Sequence, residues 1–434
     1  MLNLEGITVE NRAETPTQYD YIVRATTQPP PCCLTPPVRN GTKRVKYLDL
    51  PMHGRHVVIW ADRQRFKCKS CGKTLYQPIP NMNDTNMMTQ RLVDYVIKRS
   101  METQFTAMAR ELGVNESTVR RIFRRFAKVQ LERLNIETPE WMGLDEIHIL
   151  SKFRGVVTNV KERTLVEMLP GRSKKNIIAY LAGIKDKERI KVVTMDMWTP
   201  YKDAVHEVLP HAKIVVDKFH VVRMANEAME RIRKAHRLTL PTKSRLQLKD
   251  DRWILLHNEE DIPAFKRMIM ETWFDRFPDL KDGHAAKESF RAIWTAATVD
   301  DAKARYDKWN DQLPDSCADA FIDLRIAMRN WREEIFNHFE FRITNAYTEA
   351  INGIARIVNR AGRGYSFEVL RAKMLLNHAN HKIEHGGGMT MKKPMKLGIT
   401  LPIAFGIPFW KLTDPRRMKL NQPYILPDWW LLEV

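Results

Sequence analysis

From Trp141 onward the chain changes its hydrophobic period, and the order of segments that follows is one few folds can satisfy. Residues 147–150, 155–157 and 165–169 are short apolar runs in close succession, the pattern of three consecutive strands. A helical period then covers 174–184, an apolar strand 190–195, a helix 200–208, a second apolar strand 212–216, and a long helix 220 to about 238. Residues 241–340 differ again. They are charged, helical in pattern and carry single tryptophans at 253, 273, 294, 309 and 331, which predicts a helical insertion with about one Trp per helix. A helical pattern resumes near Thr344 and ends at Gly362 and Gly364.

Three strands followed by alternating helices and strands predict a multidomain α/β chain with a ribonuclease-H-like core. Within that order three acids stand out. Asp145 opens the first strand in Gly143-Leu144-Asp145-Glu146. Asp196 directly follows an apolar strand in Met195-Asp196-Met197-Trp198, at the carboxyl end where open α/β sheets place their sites. Glu349 lies on a helix whose polar stripe is Asn345, Glu349, Asn352 and Arg356, with Ala350, Ile351, Ile354 and Ile357 as its apolar side. Three carboxylates can hold a pair of Mg²⁺ ions, which prefer hard oxygen ligands and can promote in-line phosphodiester cleavage. Strand alternation turns Glu146 away from Asp145, so Glu146 is not expected to be a primary ligand.

Upstream, residues 103–128 read as two helices broken at Gly113, a helix-turn-helix. Ala109 is small at the crossing, Gly113 can take the positive φ of the turn, and Asn115 can cap the second helix. Val114, Val119 and Ile122 can bury against Met108 and Leu112. Arg120, Arg121, Arg124, Arg125 and Lys128 then form a basic face suited to a DNA groove. Further upstream, Cys68-Lys69-Ser70-Cys71-Gly72 has the form of a zinc knuckle. Its second ligand pair is open: Cys32 and Cys33 are adjacent rather than spaced, so His53 or His56 are candidates to complete the set. Short strands are expected at 45–50 and 56–60 around a turn at 52–54, while residues 1–30 show no strong period. The formal charge of +19 favours a polyanionic partner. No apolar run approaches the roughly 20 residues of a membrane span, and no signal-peptide pattern precedes the first domain.

Taken together, the cysteine motif, the bihelical unit, Gly143-Leu144-Asp145-Glu146, Met195-Asp196-Met197-Trp198-x-Pro200-Tyr201, Asp217-Lys218-Phe219-His220-Val221 and Thr344-Asn345-Ala346-x-Thr348-Glu349-Ala350-Ile351-Asn352 resemble transposases of bacterial insertion sequences in the ISL-three group. The likeness runs from about Cys32 to His385, but the first cysteine knuckle of the family's zinc ribbon is not intact. The resemblance implies Asp145, Asp196 and Glu349 as a catalytic metal triad, with two Mg²⁺ ions (or Mn²⁺) and a structural Zn²⁺. It further implies binding to terminal inverted repeats and target DNA, assembly as a homodimer or larger homo-oligomer, and a place in the bacterial cytoplasm on the nucleoid. Asp217 and His220 belong to the same pattern and are expected to support the metals or the substrate, as are Asn345, Asn352 and Arg356. Arg360, Arg363 and Tyr365 are candidates for phosphate contact. The expected division is a zinc-ribbon-like domain at 1–85, a helix-turn-helix at 86–135, catalytic core at 136–240 and 341–390 around the insertion 241–340, and a tail at 391–434. A DNA-binding regulator with an inactive body, or a nuclease that cuts without joining, are the competing readings.

Overall fold

The computed structural model describes residues 2–28, 32–33 and 36–379. The tail expected at 391–434 lies outside them. The N-terminal part is built on β1 (Ile7–Glu14), β2 (Gln18–Ala25), β3 (Val38–Met52), β4 (Arg55–Lys67), β5 (Thr74–Tyr76), β6 (Met82–Asn83) and β7 (Met88–Thr89). They form a sheet ordered β1-β2-β4-β3-β7-β6, with β5 on β4. The long β3–β4 hairpin turns at His53 and Gly54, both at positive φ. Residues 1–30, which gave no strong period, contain two strands. β1 is exposed along nearly its whole length, so it carries no in–out pattern. β2 does alternate, with Tyr19, Tyr21, Val23 and Ala25 inward, a period that Ile22 blurs.

Three helices follow: α1 (Gln90–Ser100), α2 (Phe105–Leu112) and α3 (Glu116–Arg133). Gly113 takes the left-handed conformation between the last two, at φ 65°. A Cβ there would also lie 2.8 Å from the His56 ring, so the turn is held against β4. Asn115 stands at the N-cap of α3 but its side chain makes no capping hydrogen bond, contrary to expectation. Phe105, Met108, Leu112, Val119, Ile122 and Phe123 share one core with Leu92 and Val96 of α1.

The second sheet consists of β8 (Trp141–Ile149), β9 (Lys152–Asn159), β10 (Thr164–Leu169), β11 (Val192–Met195) and β12 (Lys213–Val216), ordered β10-β9-β8-β11-β12. The first three are antiparallel, and β11 and β12 run parallel to β8. Helices α4 (Lys174–Ala182) and α5 (Thr199–Val208) cover one face, burying Ile177, Leu181, Tyr201 and Val205 against Met142, Leu144, Val193 and Ile214. α6 (Lys218–Thr239) leads from β12 into the insertion. This comprises α7 (Thr242–Asp250), α8 (Arg252–Leu256), α9 (Ala264–Arg276), α10 (Pro278–Ala292), α11 (Val299–Asp311), α12 (Asp315–Ala318), α13 (Ile322–Asn330), α14 (Arg332–Phe336) and α15 (His338–Phe341). Trp253, Trp273 and Trp309 do sit one per helix; Trp294 lies in a 3₁₀ turn and Trp331 at the junction of α13 and α14. Trp273, Trp309 and Trp331 anchor a core shared with Val221, Ala225 and Met229 of α6, so the insertion is built onto that helix. The opposite sheet face is covered by α16 (Ala346–Gly362) and α17 (Phe367–His378), through Ile351, Ala355, Leu370 and Met374 against Ile147, Val156 and Leu165. Among the described residues no helix is long and apolar enough to cross a membrane.

Asp145 is not at the head of its strand. β8 begins four residues earlier, at Trp141: Trp141–Leu144 pair with β11 on one side, while β9 pairs along Met142–Ile149 on the other. Ile357 is also misplaced by the sequence pattern: it is 55% exposed, and Ala355 carries the apolar side of α16 instead.

Candidate functional site

The register of the second sheet sets three acids abreast. Leu144 of β8 pairs with Met195 of β11, and Met195 pairs with Val216 of β12. The next residue on each strand is an aspartate: Asp145, Asp196 and Asp217. β11 and β12 end there, so Asp196 and Asp217 leave the sheet edge while Asp145 remains within β8. Asp217 caps α6, its Oδ1 accepting the Phe219 N–H at 3.2 Å. One turn later His220 reaches back, its Nε2 lying 2.7 Å from Asp196 Oδ2.

α16 crosses above this row. Its polar stripe faces the sheet rather than solvent, since Asn345 and Asn352 are buried. The Asn352 amide donates to Asp145 Oδ2 at 2.7 Å, and the Asn345 amide to the Leu144 carbonyl at 3.4 Å. Thr348 donates to Asn345 and shares a 2.7 Å hydrogen bond with Thr158 of β9. Such closeness requires Gly143: a Cβ there would lie 2.4 Å from both threonine hydroxyls. Glu349, at the exposed rim, is thereby brought to the acid row. One ligand atom each from Asp217, His220 and Glu349 lies within 4.8 Å of the others. Arg356 is half-buried one turn beyond Asn352, and Arg360 and Arg363 are exposed. Tyr365 is not available to phosphate: it is buried, and its ring packs 5.1 Å from Phe105.

The electrostatics are those of a crowded, partly desolvated anionic site. Burial, then the Asp196 charge, pushes Asp145 up to about 7. Glu349 is raised by desolvation and by Asp217. Burial would lower His220, but the carboxylates of Asp196 and Asp217 outweigh it and carry the imidazole up to about 10. Asp145, Asp196 and His220 open into a cleft of about 480 Å³, bordered also by Trp198, Arg223, Met224, Asn330 and Trp331. Glu146 borders it too, but is engaged by Arg172, whose guanidinium is sandwiched between Phe153 and Trp198. Arg172 and Arg223 carried no sequence signal; isolated arginines on a basic chain look like solvated charge.

In the N-terminal part of the chain the four cysteines Cys32, Cys33, Cys68 and Cys71 converge, with all four sulfurs within 4.8 Å. The Cys32 and Cys71 sulfurs are 3.6 Å apart, close to the ~3.8 Å edge of a tetrahedral zinc–tetrathiolate with 2.3 Å bonds. The adjacent pair can serve one ion because Cys33 is left-handed, at φ 52°. Neither candidate histidine takes part. His53 lies at the far end of β4, against Tyr19, and His56 packs on Gly113. The backbone amides of Cys71 and Ser70 lower the Cys68 thiol to about 6, while sulfur contacts, first with Cys71, raise Cys33 and push Cys32 up to about 12. A bound cation would turn all four toward thiolate.

On α3, Arg121, Arg124, Arg125 and Lys128 are exposed. Arg120 is not part of that face: it pairs with Glu116 at 2.5 Å and lies over the Phe105 ring. The reason is helical phase, since Arg120 follows the buried Val119 around toward α2.

The sequence profile described as Transposase, of the ISL3 DDE group, matches residues 142–374. A second profile, described as the zinc-finger of transposase IS204/IS1001/IS1096/IS1165, matches residues 31–71, which span the cysteine cluster and support a structural zinc there. The transposase for insertion sequence element IS1001 of Bordetella parapertussis is 22% identical over 324 residues, 73% of this chain and 80% of that protein. The transposase for insertion sequence element IS1557 of Mycobacterium tuberculosis is 24% identical over 270 residues, 56% of this chain and 60% of that protein. The first profile runs from β8 through the acid row and the insertion to α17, more than half of the 434 residues, and on that extent the chain belongs to the ISL3 group of DDE transposases.

Proposed function

We propose that the protein binds the terminal inverted repeats of an insertion sequence, cleaves DNA strands there and joins them to target DNA, using divalent metal ions held by Asp145, Asp196 and Glu349. The observation that carries this reading is the row of aspartates beneath α16, with Glu349 delivered to its rim. In this reading the five-stranded sheet is a ribonuclease-H-like core interrupted by the helical insertion. The unit α2–Gly113–α3 is a helix-turn-helix that lays Arg121, Arg124, Arg125 and Lys128 along a groove and its phosphates.

The donor set suits Mg²⁺ or Mn²⁺, being dominated by hard carboxylate oxygens. Asp196 Oδ1 and Asn352 Oδ1 are buried beside it without a hydrogen-bond partner, a cost that a cation would relieve. When bound, a pair of such ions activates an attacking oxygen and stabilises the leaving oxygen of a phosphodiester. The chain's own residues orient that set. Asn352 fixes Asp145 by donating to Oδ2, and His220 fixes Asp196 through its Oδ2. Arg223 at the cleft wall, in an exposed pair with Glu227 at 3.5 Å, can meet a DNA phosphate, whereas Arg172 is committed to Glu146 in a half-buried pair. Bringing two ends together calls for a homodimer or larger assembly.

The test is cleavage and strand transfer on labelled element-end DNA with Mg²⁺, comparing wild type with Asp196→Ala. Both activities are expected in the wild type and neither in the variant. A wild type inactive in both would overturn the catalytic reading, and a cleaving variant would overturn the assignment of Asp196.

A further inference from the structure

The row of aspartates is longer than a catalytic pair requires, and its third member has the surroundings of a ligand. Asp217 is fully buried, yet its Oδ2 has no hydrogen-bond partner. His220 Nδ1 is buried and likewise without one, 3.8 Å from that oxygen and so beyond hydrogen bonding. The other ring nitrogen is committed, Nε2–H donating to Asp196 Oδ2. That leaves Nδ1 as the free lone pair of the neutral ring. A metal-ligating histidine commonly donates its second N–H to a carboxylate in this way, which fixes tautomer and ring plane. Glu349 completes the group: one ligand atom each from Asp217, His220 and Glu349 lies within 4.8 Å of the others. Ligand atoms about 2.1 Å from an ion stand at most about 4.2 Å apart, so side-chain rotations of a few tenths of an ångström close the group.

We propose that Asp217 Oδ2, His220 Nδ1 and Glu349 form a mixed nitrogen–oxygen site for a divalent first-row transition ion, beside the Asp145–Asp196 pair and sharing Glu349 with it. An imidazole ligand shifts preference away from Mg²⁺ and toward ions such as Fe²⁺ or Zn²⁺, with Mn²⁺, the weakest binder of that series, as the paramagnetic probe. The buried pair then has a purpose that neither helix capping nor packing supplies, because capping uses only Asp217 Oδ1.

The site can be tested by binding and does not depend on the catalytic reading. Full-length, zinc-loaded protein is titrated with Mn²⁺ and studied by pulsed electron paramagnetic resonance, with and without ¹⁵N-histidine labelling. A directly coordinated nitrogen is expected, its coupling changing from ¹⁴N to ¹⁵N on labelling. His220→Gln should abolish that coupling, and both His220→Gln and Asp217→Asn should weaken Mn²⁺ at least tenfold at unchanged zinc content. Asp145→Asn should keep it. Bound Mn²⁺ without nitrogen coupling, no bound Mn²⁺, or coupling that persists in His220→Gln would overturn the site. The labelled wild type decides the matter even if a variant fails to fold. Cleavage assayed in parallel separates the two readings: nitrogen-coupled Mn²⁺ without cleavage sinks only the catalytic one, and cleavage without nitrogen coupling sinks only this one.

Discussion

Replacing Gly143 by alanine perturbs the point on which Glu349 depends. The new methyl group would lie 2.4 Å from Thr158 Oγ1, 2.4 Å from Thr348 Oγ1 and 2.9 Å from Val160 Cγ2. Neither hydroxyl can move cheaply. Both threonines are fully buried and bonded to each other, and Thr348 also holds Asn345. Relief requires α16 to retreat by about an ångström, or the threonine pair to break. Overpacking of this kind costs about 1–3 kcal/mol, and a lost buried hydrogen bond adds about 1 kcal/mol. The expected destabilisation is therefore about 2–4 kcal/mol, or a melting temperature lower by roughly 5–10 °C. An ångström of misplacement in a catalytic group costs on the order of 100-fold in rate, so on the proposed function, with Glu349 a metal ligand, end cleavage should fall by about that much. Thermal melting and single-turnover cleavage measure both. Adding Thr348→Ala lets Thr158 rotate into the vacated space, and the double variant should regain about tenfold in rate over Gly143→Ala. A Gly143→Ala protein that melts and cleaves like wild type, or a defect untouched by the second change, would refute the close-approach argument.

Lys373 is buried within 6 Å of the Phe105, Phe123 and Tyr365 rings, and burial lowers it to about 7. The unfolded chain binds the extra proton between about pH 7 and 10, so wild-type stability should rise through that window. Lys373→Met should be more stable at pH 7 by about 2–3 kcal/mol, less than the ~5 kcal/mol burial alone implies because the ring faces and the Tyr365 hydroxyl favour the ammonium. That advantage should vanish near pH 10 in melting curves, and a pH-independent difference would contradict it. Cys71→Ser should remove zinc, as metal analysis would register, and should lower the melting temperature of the N-terminal sheet. Arg121→Ala with Arg125→Ala should weaken binding to end DNA and reduce the slope of log affinity against log salt by about 2, whereas Arg120→Ala should leave that slope unchanged.

What was legible in the sequence followed from local rules. Apolar strands alternating with helices, and Gly113 between two amphipathic helices, depend on near neighbours and translate directly into elements. The acids at 145, 196 and 217 could each be placed at or near a strand end, but their alignment is a matter of register. Register is set by pairing between Leu144, Met195 and Val216, which no single segment contains. Asn345 and Asn352 could be set on one polar stripe of α16, but what each bonds, the Leu144 carbonyl and Asp145, lies on a strand about 200 residues away, which the helix alone does not reveal. The doublet Cys32-Cys33 violated a spacing rule that presumes ordinary backbone, and a left-handed residue circumvents it. Lys373 gave no signal at all, because a buried lysine looks like an exposed one until its neighbours are known.

Those neighbours matter beyond stability. Phe105 and Phe123 belong to α2 and α3, while Tyr365 and Val369 come from the segment just after α16, and all four lie in one hydrophobic cluster. The proposed reading head is therefore not a bead on a string. It is bolted to the neighbour of the helix that carries Glu349, and it cannot swing without opening a core. On the proposed function, the offset along DNA between the bases read by α3 and the phosphate presented to the same protomer's acid row is a fixed length, as in a gauge block. An element whose recognised sequence lay a few base pairs nearer its tip would have its cut displaced by the same few base pairs, rather than being tracked by a flexible arm.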